Sequence, residues 1–386
     1  LRGKFLGHRL GLDQAWLAYD EPIPADKSGN HGTHVVGTIL GLDTATRDTI
    51  GMAMGAYFLA TDPIVTNLAY VRSWTQLMQA FHWALNPDGD TSTTTDVPDV
   101  INNSWGRANA GFDSVCQAPV VAQALLSVEA AGIANVFSAG NNGPGPFTIG
   151  VPAQVVYDTL NVFCIGALEA SNALAGFSSN GPSRCGNDSL GIIKPEVSAP
   201  GVNIRSADGP TGYGQKSGTS MASPHVSGAV LLLKEAFPQV SGRQILNALY
   251  QTAQDLGPAG EDQLFGRGLI QTDAAFNFLA SRFPVQSPAN RGPDLAILGL
   301  DSPSVNQLGL RCSSNAPGSI PLSVRVVNRG DTTVQGFYMG LYDHRTWHHT
   351  VSFSNLNLQP GQSTTLTVQS LARNPLRNTE RWMFRI

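Results

Sequence analysis

Three short runs in this chain carry residues that could do covalent chemistry. The longest is Gly218-Thr219-Ser220-Met221-Ala222-Ser223-Pro224-His225, in which Ser220 stands at the mouth of a helix. A serine hydroxyl is a poor nucleophile until a base takes its proton. Gly218 and Thr219 keep its approach open, and the free N–H groups of the following first turn favour developing negative charge. An ordinary serine N-cap is the competing explanation, and alone it would be preferred. The second run, Gly29-Asn30-His31-Gly32-Thr33-His34-Val35, offers His31 as the base. The third, Ser138-Ala139-Gly140-Asn141-Asn142-Gly143, offers the Asn141 amide as a donor to an oxyanion, although Asn and Gly also crowd together in plain turns. A nucleophile, a base and an amide donor are what hydrolysis through an acyl-enzyme requires.

The other histidines fit packing better. His34 follows His31 by three residues on the same predicted helix, with no glutamate between them, so a zinc protease of the HExxH kind is excluded. His34 and His225 read as structural. A lipase-type Gly-x-Ser-x-Gly elbow does not surround Ser220, and a histidine at the base position argues against a Ser-Glu-Asp hydrolase.

These motifs resemble the subtilisin family of serine endopeptidases, most of all its bacillopeptidase F-like members, over about residues 1–280. The resemblance implies His31 as general base, Ser220 as nucleophile and Asn141 as oxyanion donor. It also implies a substrate edge at Ser104, Trp105 and Gly106, within Asn102-Asn103-Ser104-Trp105-Gly106, whose backbone pairs with an extended peptide. Ser138, Ala139 and Gly140 would join that edge in lining the first pocket, which has uncharged walls. The family's catalytic aspartate lies in an Asp-Thr-Gly or Asp-Ser-Gly motif ending the first core strand, and this sequence contains no such motif. Asp13, Asp20 and Asp26 precede His31, yet none ends an apolar strand or sits before a glycine. The chain opens on Leu1-Arg2-Gly3-Lys4, without Met or an apolar leader, which reads as an N-terminal truncation. A nicked enzyme, whose N-terminal fragment or second chain carries the aspartate, is one alternative. A non-catalytic protein-binding or structural relative is another. No cofactor is required by this chemistry, no metal ligands are named, and structural calcium is a habit of the resembled family.

The elements that position these residues alternate between helices and short apolar strands over residues 1–283. The fold class is α/β: a subtilisin-like, mostly parallel sheet flanked by helices and lacking its first core strand. Apolar residues at 77, 78, 81 and 85 predict a helix over 73–85. Strands are expected at 55–60, 99–102, 133–138 and 161–166, with further helices at 120–131, 221–236, 241–252 and 271–280. A Pro- and Ser-containing linker over 284–290 leads to β-rich runs in 291–386, which suggest an immunoglobulin-like β-sandwich similar to CARDB-type domains. An Arg-Gly-Asp tripeptide at 329–331 is explained by a tight turn.

Composition bounds the rest. The 386 residues carry a net charge of -4 with few charged side chains, 41 Gly and 24 Pro. No basic patch suggests nucleic acid, and no apolar run is long enough to span a bilayer. The resemblance implies a peptide or protein substrate, and the low-charge, Thr-, Ser- and Asn-rich composition suits an extracellular, secreted protein. Of the four cysteines, Cys164 and Cys185 are the nearer pair for a disulfide; buried free thiols are the equal alternative.

Overall fold

The computed structural model describes residues 5, 12–19, 24, 26, 29–43, 48–63, 73–107, 116, 118–157, 160–185, 192–210 and 212–286 of a first unit. In a second unit it describes 295–301, 319–328, 333–335, 337–342, 347–353, 356–359, 361–371 and 383–385. The units divide between Gln286 and Ser287.

The first unit is built on a parallel sheet in the order β3 (Val100–Asn103), β4 (Ala134–Ser138), β5 (Phe163–Leu168), β6 (Val197–Pro200). Its register pairs Val100 with Ala134, Val136 with Phe163, and Ile165 with Val197. Every residue of β4 and β5 is buried, as expected where helices cover both faces of a parallel sheet. Period-2 alternation sorts their side chains. Val136, Phe163 and Ile165 face one cluster with α5 (Thr219–Ala236), α6 (Gly242–Gln251) and α7 (Thr272–Ala280). Phe137, Val162 and Cys164 face another with α3 (Trp74–Ala84) and α4 (Pro119–Ala130). Each fully buried large side chain here contributes about 1.5–3 kcal/mol relative to exposure.

The helix predicted over 73–85 forms as α3, with Ser73 as its cap in a capping box with Gln76. Its buried face is Leu77, Met78, Phe81 and Ala84. The strand expected at 55–60 is displaced. A short α1 (Leu12–Ala15) leads into β1 (Trp16–Leu17), which pairs in parallel with β2 (Ala60–Thr61). An antiparallel hairpin, β7 (Ile204–Asp208) and β8 (Gly212–Lys216), precedes α5. It carries no alternating apolar pattern and was not anticipated from sequence.

The cysteine pairing corrects the expectation. Cys116 is bonded to Cys185, with Cα atoms 5.2 Å apart, and Cys164 is a buried free thiol. Cys164 lies on β5 in the sheet core, and its N–H is taken by the Glu196 carboxylate. Sequence proximity to Cys185 did not measure distance in space. Among the described residues no helix is long and apolar enough to cross a membrane.

The second unit holds two three-stranded antiparallel sheets. One has the order β13 (Ser363–Leu371), β10 (Ser319–Asn328), β9 (Leu295–Asp301). The other has β12 (Trp347–Phe353), β11 (Phe337–Tyr342), β14 (Met383–Arg385). The Arg-Gly-Asp tripeptide lies outside the described residues, as does Asp20.

Candidate active site

The three candidate residues come from the ends of three elements. Ser220 is the second residue of α5. Asn141 follows the carboxyl end of β4, and His31 is the first residue of α2 (His31–Leu40). In an open parallel sheet, the crevice outside the carboxyl ends of the strands is where ligands bind.

Asn141 and the nucleophile segment are joined directly. The Thr219 N–H and hydroxyl both donate to Asn141 Oδ1, at 2.9 and 3.1 Å. The Gly140 N–H donates to Thr219 Oγ1 at 3.0 Å. With Oδ1 engaged, the amide's orientation is fixed and Nδ2 is the end offered outward. A side chain at 218 would place its Cβ 3.4 Å from Asn141 Nδ2, so Gly218 keeps that donor open. The nearby Ser220 N–H belongs to the first turn of α5, where the helix leaves its donors unsatisfied.

His31 enters α2 from a turn in which Gly29 and Asn30 are both left-handed, at φ 64° and 63°, a conformation open to Gly and tolerated by Asn. The helix is fixed by its other residues. Val35, Ile39 and Leu40 pack with Met221, the neighbour of Ser220. His34 is fully buried, and its Nε2 meets the carbonyls of Ile204 at 2.9 Å and Gly214 at 3.2 Å. Ser206 Oγ donates to the His34 carbonyl at 2.8 Å. Lys216 Nζ, at the end of β8, donates to Gly29 O at 2.9 Å. The hairpin thus ties the turn before His31 to the strand that leads toward Ser220.

Burial pushes His31 below its ordinary value of 6.5. The Asp26 carboxylate opposes that shift, while Lys216 and His34 add to it. Asp26 Oδ2 also accepts the Thr33 N–H at 2.6 Å, which satisfies a first-turn donor of α2. Asp26 does not end an apolar strand, and its only sequence signal is an acidic residue just ahead of a helix start. His225 is held by a bond between its Nδ1 and Met221 O, 2.8 Å long, and burial lowers its pKa.

The candidate substrate edge lies at the end of β3. Ser220 Oγ donates to Ser104 O at 3.3 Å. The Trp105 indole N–H donates to Asn103 Oδ1 at 3.2 Å. Gly106 is followed by a main-chain exchange in which Arg107 N–H donates to Val151 O and Val151 N–H to Arg107 O, both at 2.9 Å. Ser138 is buried and donates to Asn103 O at 3.3 Å, Ala139 is fully buried, and Gly140 is half-buried at φ 109°. Among the described residues, no three His, Cys, Asp or Glu side chains gather into a metal cage.

Comparison with known proteins identifies the family of the chain. A family model described as the subtilase family matches residues 10–268. Bacillopeptidase F of Bacillus subtilis strain 168 is 36% identical over 251 residues, 62% of this chain and 16% of that protein. The chain thus spans only a small part of that relative's length. Subtilisin DY of Bacillus licheniformis is 34% identical over 257 residues, 66% of this chain and 80% of its own. The solved protease domain of PatA superposes with a TM-score of 0.54 at 23% identity, covering 70% of this chain and 90% of that one. That last likeness speaks for the fold.

Proposed function

The chain belongs to the subtilase family of serine endopeptidases, and from that premise we propose that it hydrolyses peptide bonds through an acyl-enzyme on Ser220. The observation that carries the reading is the clamp of Thr219 on Asn141 Oδ1, which sets an amide donor beside the nucleophile.

An extended peptide pairs with the main chain of Ser104 to Gly106 by strand addition. His31, neutral because burial disfavours its charged form, takes the Ser220 proton as the hydroxyl attacks the scissile carbonyl. Negative charge on the carbonyl oxygen meets Asn141 Nδ2 and the Ser220 N–H at the helix N-terminus. The protonated His31 then gives its proton to the leaving amine; a water, deprotonated by His31, attacks the acyl carbonyl, and His31 returns that proton to the Ser220 oxygen as the carboxylic acid product leaves.

A carboxylate that orients His31 and stabilises its protonated form completes such a site. No Asp-Thr-Gly or Asp-Ser-Gly occurs in these 386 residues. We assign that carboxylate, with the first core strand, to a segment or second chain beyond this sequence. The 386-residue chain by itself is accordingly impaired, by on the order of 10⁴ in turnover. The Cys116–Cys185 disulfide supports a secreted protein, since such bonds persist in oxidising surroundings. The two antiparallel sheets of the second unit support an immunoglobulin-like, CARDB-like domain.

Labelling with a fluorophosphonate probe tests the reading. Ser220 of the folded chain should be modified, and Ser220→Ala should abolish the signal. A folded chain labelled elsewhere or not at all sinks the nucleophile assignment. Brisk cleavage of a peptide amide by the 386-residue chain sinks the impairment.

A further inference from the structure

We propose that the Ser104 side chain is a positioning residue for the nucleophile, giving the Ser220 carbonyl the hydrogen bond that Pro224 withholds. The proposal rests on the reading of Ser220 as nucleophile.

In an uninterrupted α-helix the carbonyl of residue 220 takes the N–H of residue 224. Residue 224 is a proline inside α5 and has no N–H. Ser104 Oγ donates to Ser220 O at 3.0 Å instead. A serine hydroxyl has one proton, so its other two bonds are acceptances. Asn102 Nδ2 donates to it at 2.9 Å, and Ser223 Oγ donates to it across 2.8 Å. Ser227 Oγ in turn donates to Asn102 Oδ1 at 3.0 Å. The donors therefore run one way, from Ser227 through Asn102 and Ser104 to the Ser220 carbonyl.

Residues 220, 223 and 227 fall on one face of α5, and that face meets the end of β3. Ser223 and Ser227 are fully buried, polar side chains in a helix that is otherwise packed on the sheet. Their hydroxyls would be costly there without partners. Ser104 also holds the other end of the nucleophile, because its main-chain oxygen accepts the Ser220 hydroxyl. One residue thus pins both the peptide plane and the hydroxyl of Ser220. It belongs to the stretch proposed to carry the substrate, so nucleophile and scissile bond share one reference point. Misplacement by about 1 Å is enough to cost on the order of 10² in rate.

The test measures the rate at which a fluorophosphonate modifies Ser220 in the full chain, with urea unfolding of the same samples. Ser104→Ala should slow labelling about tenfold, the loss of one aligned hydrogen bond. Ser104→Thr, which keeps the hydroxyl, should restore it. Adding Pro224→Ala to Ser104→Ala should recover most of the loss, because residue 224 then has its own N–H to give. Wild-type labelling by Ser104→Ala overturns the proposal, as does a deficit that Pro224→Ala leaves untouched. Unfolding supplies a readout without activity. Pro224→Ala should favour the native state more in the Ser104→Ala protein than in wild type, and additive effects overturn the proposed exchange of donors. A wild-type chain that stays unlabelled overturns the nucleophile reading instead, and the unfolding cycle then judges the hydrogen bond by itself.

Discussion

The proposed mechanism gives Asn141 two jobs at its two ends, and the substitutions Asn141→Asp and Asn141→Ala separate them. Oδ1 accepts from the Thr219 N–H at 2.9 Å and its hydroxyl at 3.1 Å. Thr219 is fully buried, so its N–H has no water to turn to. Nδ2 is the donor assigned to the oxyanion. Asn141→Asp keeps an oxygen for Thr219 but replaces the donor with a second oxygen carrying negative charge. Loss of one oxyanion donor costs about 10²–10³ in rate, or about 2.7–4 kcal/mol, and repulsion of the forming oxyanion adds to it. Stability should be held, because a carboxylate near the N-terminus of α5 interacts favourably with the helix dipole by about 0.3–1 kcal/mol. Asn141→Ala should show a similar kinetic loss. It should also lose about 1–3 kcal/mol of stability, the penalty for leaving a buried donor unmade. The assay is hydrolysis of an activated ester, for which the oxyanion hole sustains measurable turnover even with an incomplete triad, beside urea unfolding of each variant. An Asn141→Asp protein turning over at more than a tenth of the wild-type rate would refute the donor assignment. An Asn141→Ala protein as stable as wild type would refute the clamp.

Further outcomes follow from the same geometry. Burial lowers the His31 pKa, so its neutral, base-competent form persists below pH 6.5 and the acid limb of labelling or turnover should lie there. Asp26→Asn removes a charge that raises this pKa and should move the limb to lower pH; Lys216→Met removes one that lowers it and should move the limb up. Shifts of the same sign in both would contradict the electrostatics. Lys194 and Glu196 form a buried ion pair 2.5 Å apart, and Lys194 Nζ also donates to Val162 O. Lys194→Met leaves a buried carboxylate without its partner and should cost about 3–5 kcal/mol in urea unfolding, whereas a loss under 1 kcal/mol (roughly a surface pair's worth) would show the pair to be solvated. The Cys116–Cys185 bond closes a loop across 69 residues, so Cys116→Ser with Cys185→Ser should lower stability by about 2–4 kcal/mol. Cys164, buried with its thiol pKa pushed up by desolvation, should resist thiol reagents until the protein unfolds; rapid native-state modification would contradict its burial.

The motifs around Ser220, His31 and Asn141 were legible because each is local. A serine at a helix start, a histidine in a glycine-bounded segment and an amide in a turn each leave a mark within about eight residues. The helices were legible for a similar reason: the apolar stripe of α3 follows from periodicity, and the Ala-, Val- and Leu-rich composition of α5 marks a buried helix. Pairings between distant residues leave no such mark. Sequence spacing favoured Cys164 for Cys185, yet β5 carries Cys164 into the sheet core and leaves Cys116 beside Cys185. The β7–β8 hairpin had no alternating pattern, and its value lies in Lys216 reaching Gly29 across the fold. The proline at 224 was visible in the sequence, but the donor that compensates for it, Ser104, lies 116 residues upstream of the nucleophile it serves. Residue types and spacing therefore determined the family and the candidate groups. The packing of α2 and α5 against the ends of β3 and β4 decided which hydrogen bonds hold them, because those bonds join residues that only the tertiary structure makes neighbours.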